Sequence, residues 1–359
     1  MSDMWVILLT GAAAAVACAL AGTFLVLRRM SLLGDAISHA VLPGIVIAFL
    51  LTNSVSSLPV VLGAGAVGLF TVFLIETLRR TRRIKEDAAI AVVFPALFAL
   101  GVLLLAQYAE HKDLDQDCVL YGEIAYAPLD TVAIGGWGEI AQPLLTLSIV
   151  AGLNLLFVVV LYKELKLATF DAALAATLGI SPVVVHYLLM GVVSLTTVAS
   201  FDSVGAILVV AFLIVPAAAA HLLTDRLPVM LALAALIGVA CSTAGYFLAR
   251  AIDASIAGSM ATAMGAAFLL VWLFAPREGI FGRLIRRRRT RVSFAQALIV
   301  SRLDRAPATP DAVASDLAWP RRRVEEVVET ALRNGFVARK GTALHATRAG
   351  LAFVQGALD

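Results

Sequence analysis

The chain is cut into runs of about twenty apolar residues, and this spacing limits its possible folds more than any single motif does. In order, the runs cover residues 4–27, 32–51, 58–78, 88–107, 142–161, 182–200, 203–222, 228–250 and 254–274. A hydrocarbon layer ~30 Å thick takes about 20 helical residues to cross, and lipid offers no partner to an open backbone group. Each run therefore reads as a membrane-spanning helix. There are nine spans, or eight if the Gly- and Ala-rich run after Asp202 only dips into the bilayer. With 61% hydrophobic and 15% charged residues in 359, a soluble globule is excluded. Pro95 predicts a kink in the fourth span, tolerable where neighbouring helices satisfy the freed carbonyl. The first span exceeds the length of a signal-peptide core and no cleavage site follows it, so it is expected to be retained.

Charge divides the chain unequally. Residues 276–359 hold 16 of the 28 Lys and Arg but only 8 of the 25 Asp and Glu, so a mildly acidic membrane domain precedes a basic tail. Among the connections between nine spans, one side receives Arg28, Arg29, the five bases of residues 79–85, Lys163, Lys166 and Arg226. The other side receives only Lys112 and Arg250. The positive-inside rule then places the amino terminus outside and the carboxyl-terminal domain in the cytoplasm. The expected division is a transmembrane domain over 1–280, a basic juxtamembrane linker over 281–292 and a cytoplasmic domain over 293–359.

Within the second span, Asp35 and His39 are four residues apart, which puts them on one helical face. Hydrocarbon does not solvate a carboxylate, so something must compensate it. A divalent cation would do so, since carboxylate oxygen and neutral imidazole nitrogen both ligate manganese, zinc and ferrous iron. Pairing of Asp35 with Arg28 or Arg29 near the headgroups is the structural alternative, and proton relays use the same residue types. A helix broken at Gly34 or Pro43 would alter the depth of the pair. Cys18, Cys118 and Cys241 form no C-x-x-C pair and suggest no disulfide framework. The chain has no phosphate-loop G-x-x-x-x-G-K-[ST] and no H-E-x-x-H, so ATP hydrolysis through a phosphate loop and the commonest zinc-protease arrangement are excluded.

The wording around the pair, Arg29-Met30-Ser31-Leu32-Leu33-Gly34-Asp35-Ala36-Ile37-Ser38-His39-Ala40-Val41-Leu42-Pro43-Gly44, resembles the signature of the permease subunits of bacterial manganese, zinc and iron ABC importers. Similar wording recurs in the segment from Leu114 to Pro128, between Lys163 and Ile180, between Ser203 and Ala220, and between Asp253 and Met260. The resemblance implies an all-α polytopic importer fold, shared with siderophore and cobalamin permeases and acting as a homo- or heterodimer. It implies that Asp35 and His39 lie on the metal path, with no permanently bound cofactor. Where many members carry Pro-Thr-Gly, this chain has Ala254-Ser255-Ile256-Ala257-Gly258, so selectivity is not inherited from zinc-type relatives.

The loop over residues 108–142 is acidic, including Asp113, Asp115, Asp117 and Glu123. It reads either as a solvated surface or as a region that concentrates cations and docks a metal-delivering lipoprotein. Residues 163–180 read as a brief cytoplasmic surface helix with Phe170, Leu174 and Leu178 at spacings of four and Gly179 as its stop. The pattern alone makes it a connector. The resemblance makes it the segment that couples to an ATPase, with Glu164, Phe170, Asp171, Leu174, Leu178 and Gly179 as the coupling residues.

In the tail, the Arg286–Arg289 run reads as a stop-transfer signal or a site for anionic lipid. Helices are expected over 294–304, 310–317 and 320–334, the last with an apolar face of Val324, Val327, Val328, Ala331 and Leu332. Residues 336–347 alternate around a Gly turn like a hairpin. This order resembles a winged helix-turn-helix, in which Arg321, Arg322 and Arg323 would open the helix that contacts DNA, a partner protein or lipid. The expected function is the permease subunit of an ABC importer in the bacterial inner membrane, for manganese first and then iron or zinc. The alternative is a membrane-anchored, ligand-responsive regulator that binds DNA.

Overall fold

The computed structural model describes residues 2–52, 57–81, 84–108, 123–133, 139–275 and 279–358. It forms two compact units, Met1–Leu273 and Phe274–Asp359. In the first unit the helices are α1 (Asp3–Leu27), α2 (Leu32–Ala40), α3 (Leu42–Thr52), α4 (Ser57–Arg80), α5 (Glu86–Tyr108), α6 (Gln142–Val160), α7 (Tyr162–Phe170), α8 (Ala172–Thr177), α9 (Pro182–Val204), α10 (Ala206–Leu223), α11 (Leu227–Ile252) and α12 (Ile256–Phe274). Among the described residues nine apolar stretches are long enough to cross a membrane, with α2 and α3 together making one of them. The run after Asp202 forms the full-length helix α10. Gly205, at φ 83°, makes the turn into it from α9.

Helix α1 is the central element of this unit. Ala14, Ala15, Ala17, Cys18 and Ala19 are fully buried, and α6, α9, α10 and α11 pack around it. Lipid tails are as apolar as leucine, so close approach has to hold such helices together. Small residues permit it: a Cβ on Gly22 would collide with the Leu213 carbonyl of α10, and one on Gly44 with the Gly63 backbone of α4. Buried polar groups add specific ties, as where Asn154 on α6 donates to the Ala17 carbonyl at 2.9 Å and to Thr196 Oγ1 on α9 at 2.8 Å.

Three local features sharpen or depart from the sequence expectation. The second span is interrupted at Val41, two residues after His39, the break that Pro43 offered in the sequence. Pro43 has no N–H to give the His39 carbonyl and its ring crowds that oxygen, so the chain turns once before α3 resumes. Residues 163–180 form two short helices in place of one. The Asp171 carboxylate accepts from the Leu174 N–H at 2.9 Å, capping α8 and ending α7. Within the loop over residues 108–142, β1 (Thr131–Ala133) pairs antiparallel with β2 (Glu139–Ala141), a pairing for which the sequence carries no signal.

The second unit contains α13 (Ile280–Arg305), α14 (Pro310–Asp316), α15 (Arg321–Arg333), the antiparallel hairpin β3 (Val337–Lys340) and β4 (Ala343–Ala346), and α16 (Arg348–Leu358). Its core joins Ile299, Val300 and Leu303 of α13 to Val313, to Val324 and Val328 of α15, and to Val337 and Leu344 of the hairpin. The hairpin turns at Gly341, φ 62°. Residues 281–292, expected to be a linker, are helical, because no Gly or Pro after Gly282 interrupts the run into α13. The closing helix α16 was not expected. Phe353 on it stacks on Phe336 with centroids 4.5 Å apart.

Candidate functional site

Asp35 and His39 project from one face of α2, as the spacing of four predicts. His39 Nε2 lies 3.6 Å from Asp35 Oδ1, too far for a hydrogen bond, and the side chains are 37% and 44% exposed although both residues fall within a spanning segment. The imidazole stands beside Phe94 and Phe98 of α5, with ring centroids 6.1 and 6.4 Å away. On the opposite face of α2, Leu33 and Ile37 are fully buried and hold the helix in place. An oxygen and a nitrogen donor thus share an accessible surface at a helix break. Among the described residues no cluster of three or more His, Cys, Asp or Glu occurs, so this two-donor pair stands without a third protein ligand of those types.

Neither Arg28 nor Arg29 pairs with Asp35, the structural alternative raised by their position in sequence. Arg28 turns instead toward Thr169 Oγ1 at the end of α7, donating from Nε at 3.2 Å, and toward His186 Nδ1 on α9, with Nη1 at 3.4 Å. Burial pulls its pKa down from the ordinary guanidinium value. From the sequence, Arg28 is a base at the end of a span whose one nearby candidate partner is Asp35. Its partners lie 141 and 158 residues away along the chain, and nothing local marks them.

The residues expected to couple to an ATPase fall into two groups. Phe170, Leu174 and Leu178 are 59%, 46% and 61% exposed, an unpartnered apolar strip beside the cap formed by Asp171, and Gly179 ends it at φ 81°. Glu164 differs: its Oε2 is buried without a hydrogen-bond partner among the described residues, so it faces inward from α7. Of the acids of the loop over residues 108–142, Glu123 is half-buried and leads into the short 3-10 turn Ile124–Tyr126, whose Ile124 packs near Gly11 of α1. Asp113, Asp115 and Asp117 lie outside the described residues. Val6, near the start of α1, clusters with Ala127 and Ala141, whereas Arg28 at its end meets α7. The two segments therefore sit at opposite ends of a 25-residue helix, about 37 Å long.

In the tail unit, Arg321, Arg322 and Arg323 do begin a helix, but each is engaged by the chain itself. Arg321 pairs with Asp311 at 3.1 Å and Glu325 at 3.0 Å, and Arg322 with Glu326 at 3.5 Å. Arg323 lies over the Trp319 ring, 4.7 Å from its centroid.

Comparison with known proteins gives this geometry a context. The manganese transport system membrane protein MntD of Bacillus subtilis (strain 168) is 49% identical over 284 residues, 79% of this chain and 96% of its own length. The zinc transport system membrane protein TroD of Treponema pallidum (strain Nichols) is 44% identical over 361 residues, covering 98% of both chains, so that likeness extends through the tail. Among solved structures, PsaBC from Streptococcus pneumoniae in complex with Fab superposes with a TM-score of 0.66 at 30% identity, over 80% of this chain and 96% of that one. The ABC 3 transport family matches residues 2–275, and with relatives this similar over nearly their whole length, the chain belongs to that family.

Proposed function

We propose that the chain is the permease subunit of an ATP-driven importer and forms the path of a divalent transition-metal ion, manganese first, with iron or zinc next. The observation that carries this reading is the Asp35 and His39 pair, two donor atoms 3.6 Å apart on an accessible intramembrane surface. A metal about 2.1 Å from each would see them at an angle of about 120°, an open arrangement that leaves other positions to water or to a further ligand. Two protein ligands suit a transient site, because a closed four-ligand cage would hold the ion too long. The nitrogen donor selects against magnesium and calcium, which prefer oxygen throughout. The names of MntD and TroD support a manganese or zinc cargo.

The amino terminus lies outside and the end of α1, together with α7 and α8, at the cytoplasmic face of the inner membrane, a reading supported by the basic connections. There the strip of Phe170, Leu174 and Leu178 docks a separate ATPase. At the other face the acidic loop, with Asp113, Asp115, Asp117 and Glu123, receives the metal from an exported lipoprotein. A second permease subunit completes the path, a reading supported by the likeness to PsaBC. The tail is a winged-helix-like module. Because Arg321 and Arg322 are already paired with carboxylates, the start of α15 presents little free positive charge to a phosphate backbone, which favours a protein or lipid contact over DNA. Uptake of labelled manganese into proteoliposomes holding the assembled transporter tests the central claim: Asp35→Asn and His39→Ala should each abolish it. Normal uptake by both variants at normal protein levels would leave the pair a structural element.

A further inference from the structure

Arg28 is an odd residue to half-bury, with its Nη2 out of reach of solvent. Its guanidinium has five donors and no acceptor, and of its partners one is a hydroxyl and the other a ring nitrogen. Because Arg28 only donates, His186 Nδ1 accepts, which leaves the proton of the neutral ring on Nε2. Both Arg28 Nη2 and His186 Nε2 are buried without a hydrogen-bond partner among the described residues. No carboxylate lies in ion-pair contact with Arg28 among those residues. A desolvated charge held this way costs stability, and a neutral or apolar side chain would pack the same junction at lower cost. Its presence therefore calls for a reason other than stability.

The three elements it joins suggest that reason. Thr169 directly precedes Phe170, the exposed anchor at the end of α7. On the other side, Arg28 leads into α2 through a hydrogen-bonded turn: Arg29 N–H to the Val26 carbonyl at 3.0 Å, Met30 N–H to Leu25 at 2.9 Å, then Leu33 N–H to Met30 at 3.1 Å. Arg29 sits at φ 60°, so the chain reverses without slack, and Asp35 follows one turn into α2. A displacement of Phe170 is thus separated from the Asp35 carboxylate by one side-chain hydrogen bond and one rigid turn. The unused Nη2 donor leaves room for a second arrangement of the same junction, which a switching element needs.

We propose that Arg28 is a positioning residue that ties α7 to α2, so that movement of the docked ATPase is passed to Asp35 and His39. The proposal rests on the reading of those two sites given above. The test uses the full transporter, with permease, ATPase and lipoprotein, reconstituted in proteoliposomes, and reads manganese imported per ATP hydrolysed. Arg28→Ala removes both the Thr169 and the His186 hydrogen bonds and should lower that ratio well over tenfold while ATP hydrolysis continues, since one hydrogen bond to a charged group already carries about a tenfold factor. Arg28→Lys, which keeps the charge and a single donating nitrogen in place of the guanidinium fork, should recover part of it. Thr169→Val removes one of those two bonds, itself donated by a charged group, and should lower the ratio about tenfold.

A role confined to folding predicts something else: import, hydrolysis and assembled complex fall together and the ratio stays constant, which would overturn the proposal. If Arg28→Ala fails to assemble, Thr169→Val decides, and an unchanged ratio there overturns it equally. Asp35→Asn and the Phe170→Ala, Leu178→Ala double variant are run alongside. Normal import by the first or normal ATPase docking by the second would remove the underlying site reading. Loss in both, with an unchanged ratio in Thr169→Val, would remove the Arg28 tie alone.

Discussion

On α6, Leu153, Leu156, Val159 and Val160 stand outward while Asn154 on the same helix is buried and doubly bonded; on α15, Val324, Val327 and Val328 are buried while Arg321, Arg322 and Arg333 stand outward in ion pairs. The two helices belong to one chain but to two solvents. In the tail, water drives apolar side chains together, at roughly 25 cal/mol per Å² removed from contact with it. In the membrane unit that drive is absent between helices, so small-residue contacts and buried hydrogen bonds specify the packing. The same contrast explains where the candidate sites lie. A carboxylate and an imidazole are ordinary on the surface of a helix in water, but on α2 they are the costly residues and hence the informative ones.

The largest expected effect tests whether the polar pair on α2 is functional. Asp35→Asn keeps the size and removes the charge, and His39→Ala removes the nitrogen donor. Each should abolish labelled manganese uptake while leaving expression and ATPase assembly unchanged, and His39→Ala should also weaken discrimination against magnesium and calcium. Uptake within the wild-type range from both would break the comparison at its most important point.

Next comes the exposed apolar strip, which in the membrane unit marks either lipid or a partner. Phe170→Ala with Leu178→Ala should cut ATPase co-purification about tenfold or more, since truncated interface anchors typically cost more than 1 kcal/mol each. Unchanged co-purification would return residues 163–180 to the role of a connector.

A direct measurement of the two packing regimes sharpens the contrast further. Val324→Ala in the tail should cost about 2 kcal/mol by thermal unfolding, through lost burial and a cavity. Asn154→Ala should cost about 1 kcal/mol by detergent unfolding of the membrane unit, because interhelical hydrogen bonds are individually modest in lipid. The reverse order would mean that polar ties dominate the membrane unit more strongly than hydrogen bonds between membrane helices usually do. The smallest effect belongs to the tail surface: Arg321→Ala should change stability by about 0.2–1 kcal/mol, the range of exposed ion pairs. Deletion of residues 293–359, which spares the basic run, should leave a membrane unit that still assembles and transports; loss of the protein from the bilayer would show that the units depend on each other.

Much of this was legible because the bilayer makes hydropathy nearly a direct readout of structure. The spans at residues 4–27 and 228–250 return as Asp3–Leu27 and Leu227–Ile252. The tail was legible for a different reason: Val324, Val327, Val328 and Ala331 recur at helical spacing, and Gly341 sits between two alternating runs. The β1–β2 hairpin was not legible because three-residue pairings carry no periodicity of their own. The helix over residues 281–292 escaped because a basic run reads as a solvated linker as easily as a helix.

For the candidate site, the sequence by itself determined that Asp35 and His39 share a helical face within a span, since a spacing of four and the lack of solvation in lipid are both local properties. It also determined that the apolar strip after Lys166 ends at Gly179. Only the tertiary structure decided that Arg28 faces Thr169 and His186 rather than Asp35, that Phe94 and Phe98 flank the imidazole, and that Glu164 points inward while Phe170 points out. Those facts depend on which helices meet, and helices meet through shape, small-residue approach and hydrogen bonds between residues more than a hundred positions apart. Local pattern records the solvent that each residue prefers. It does not record the partner that each residue finds.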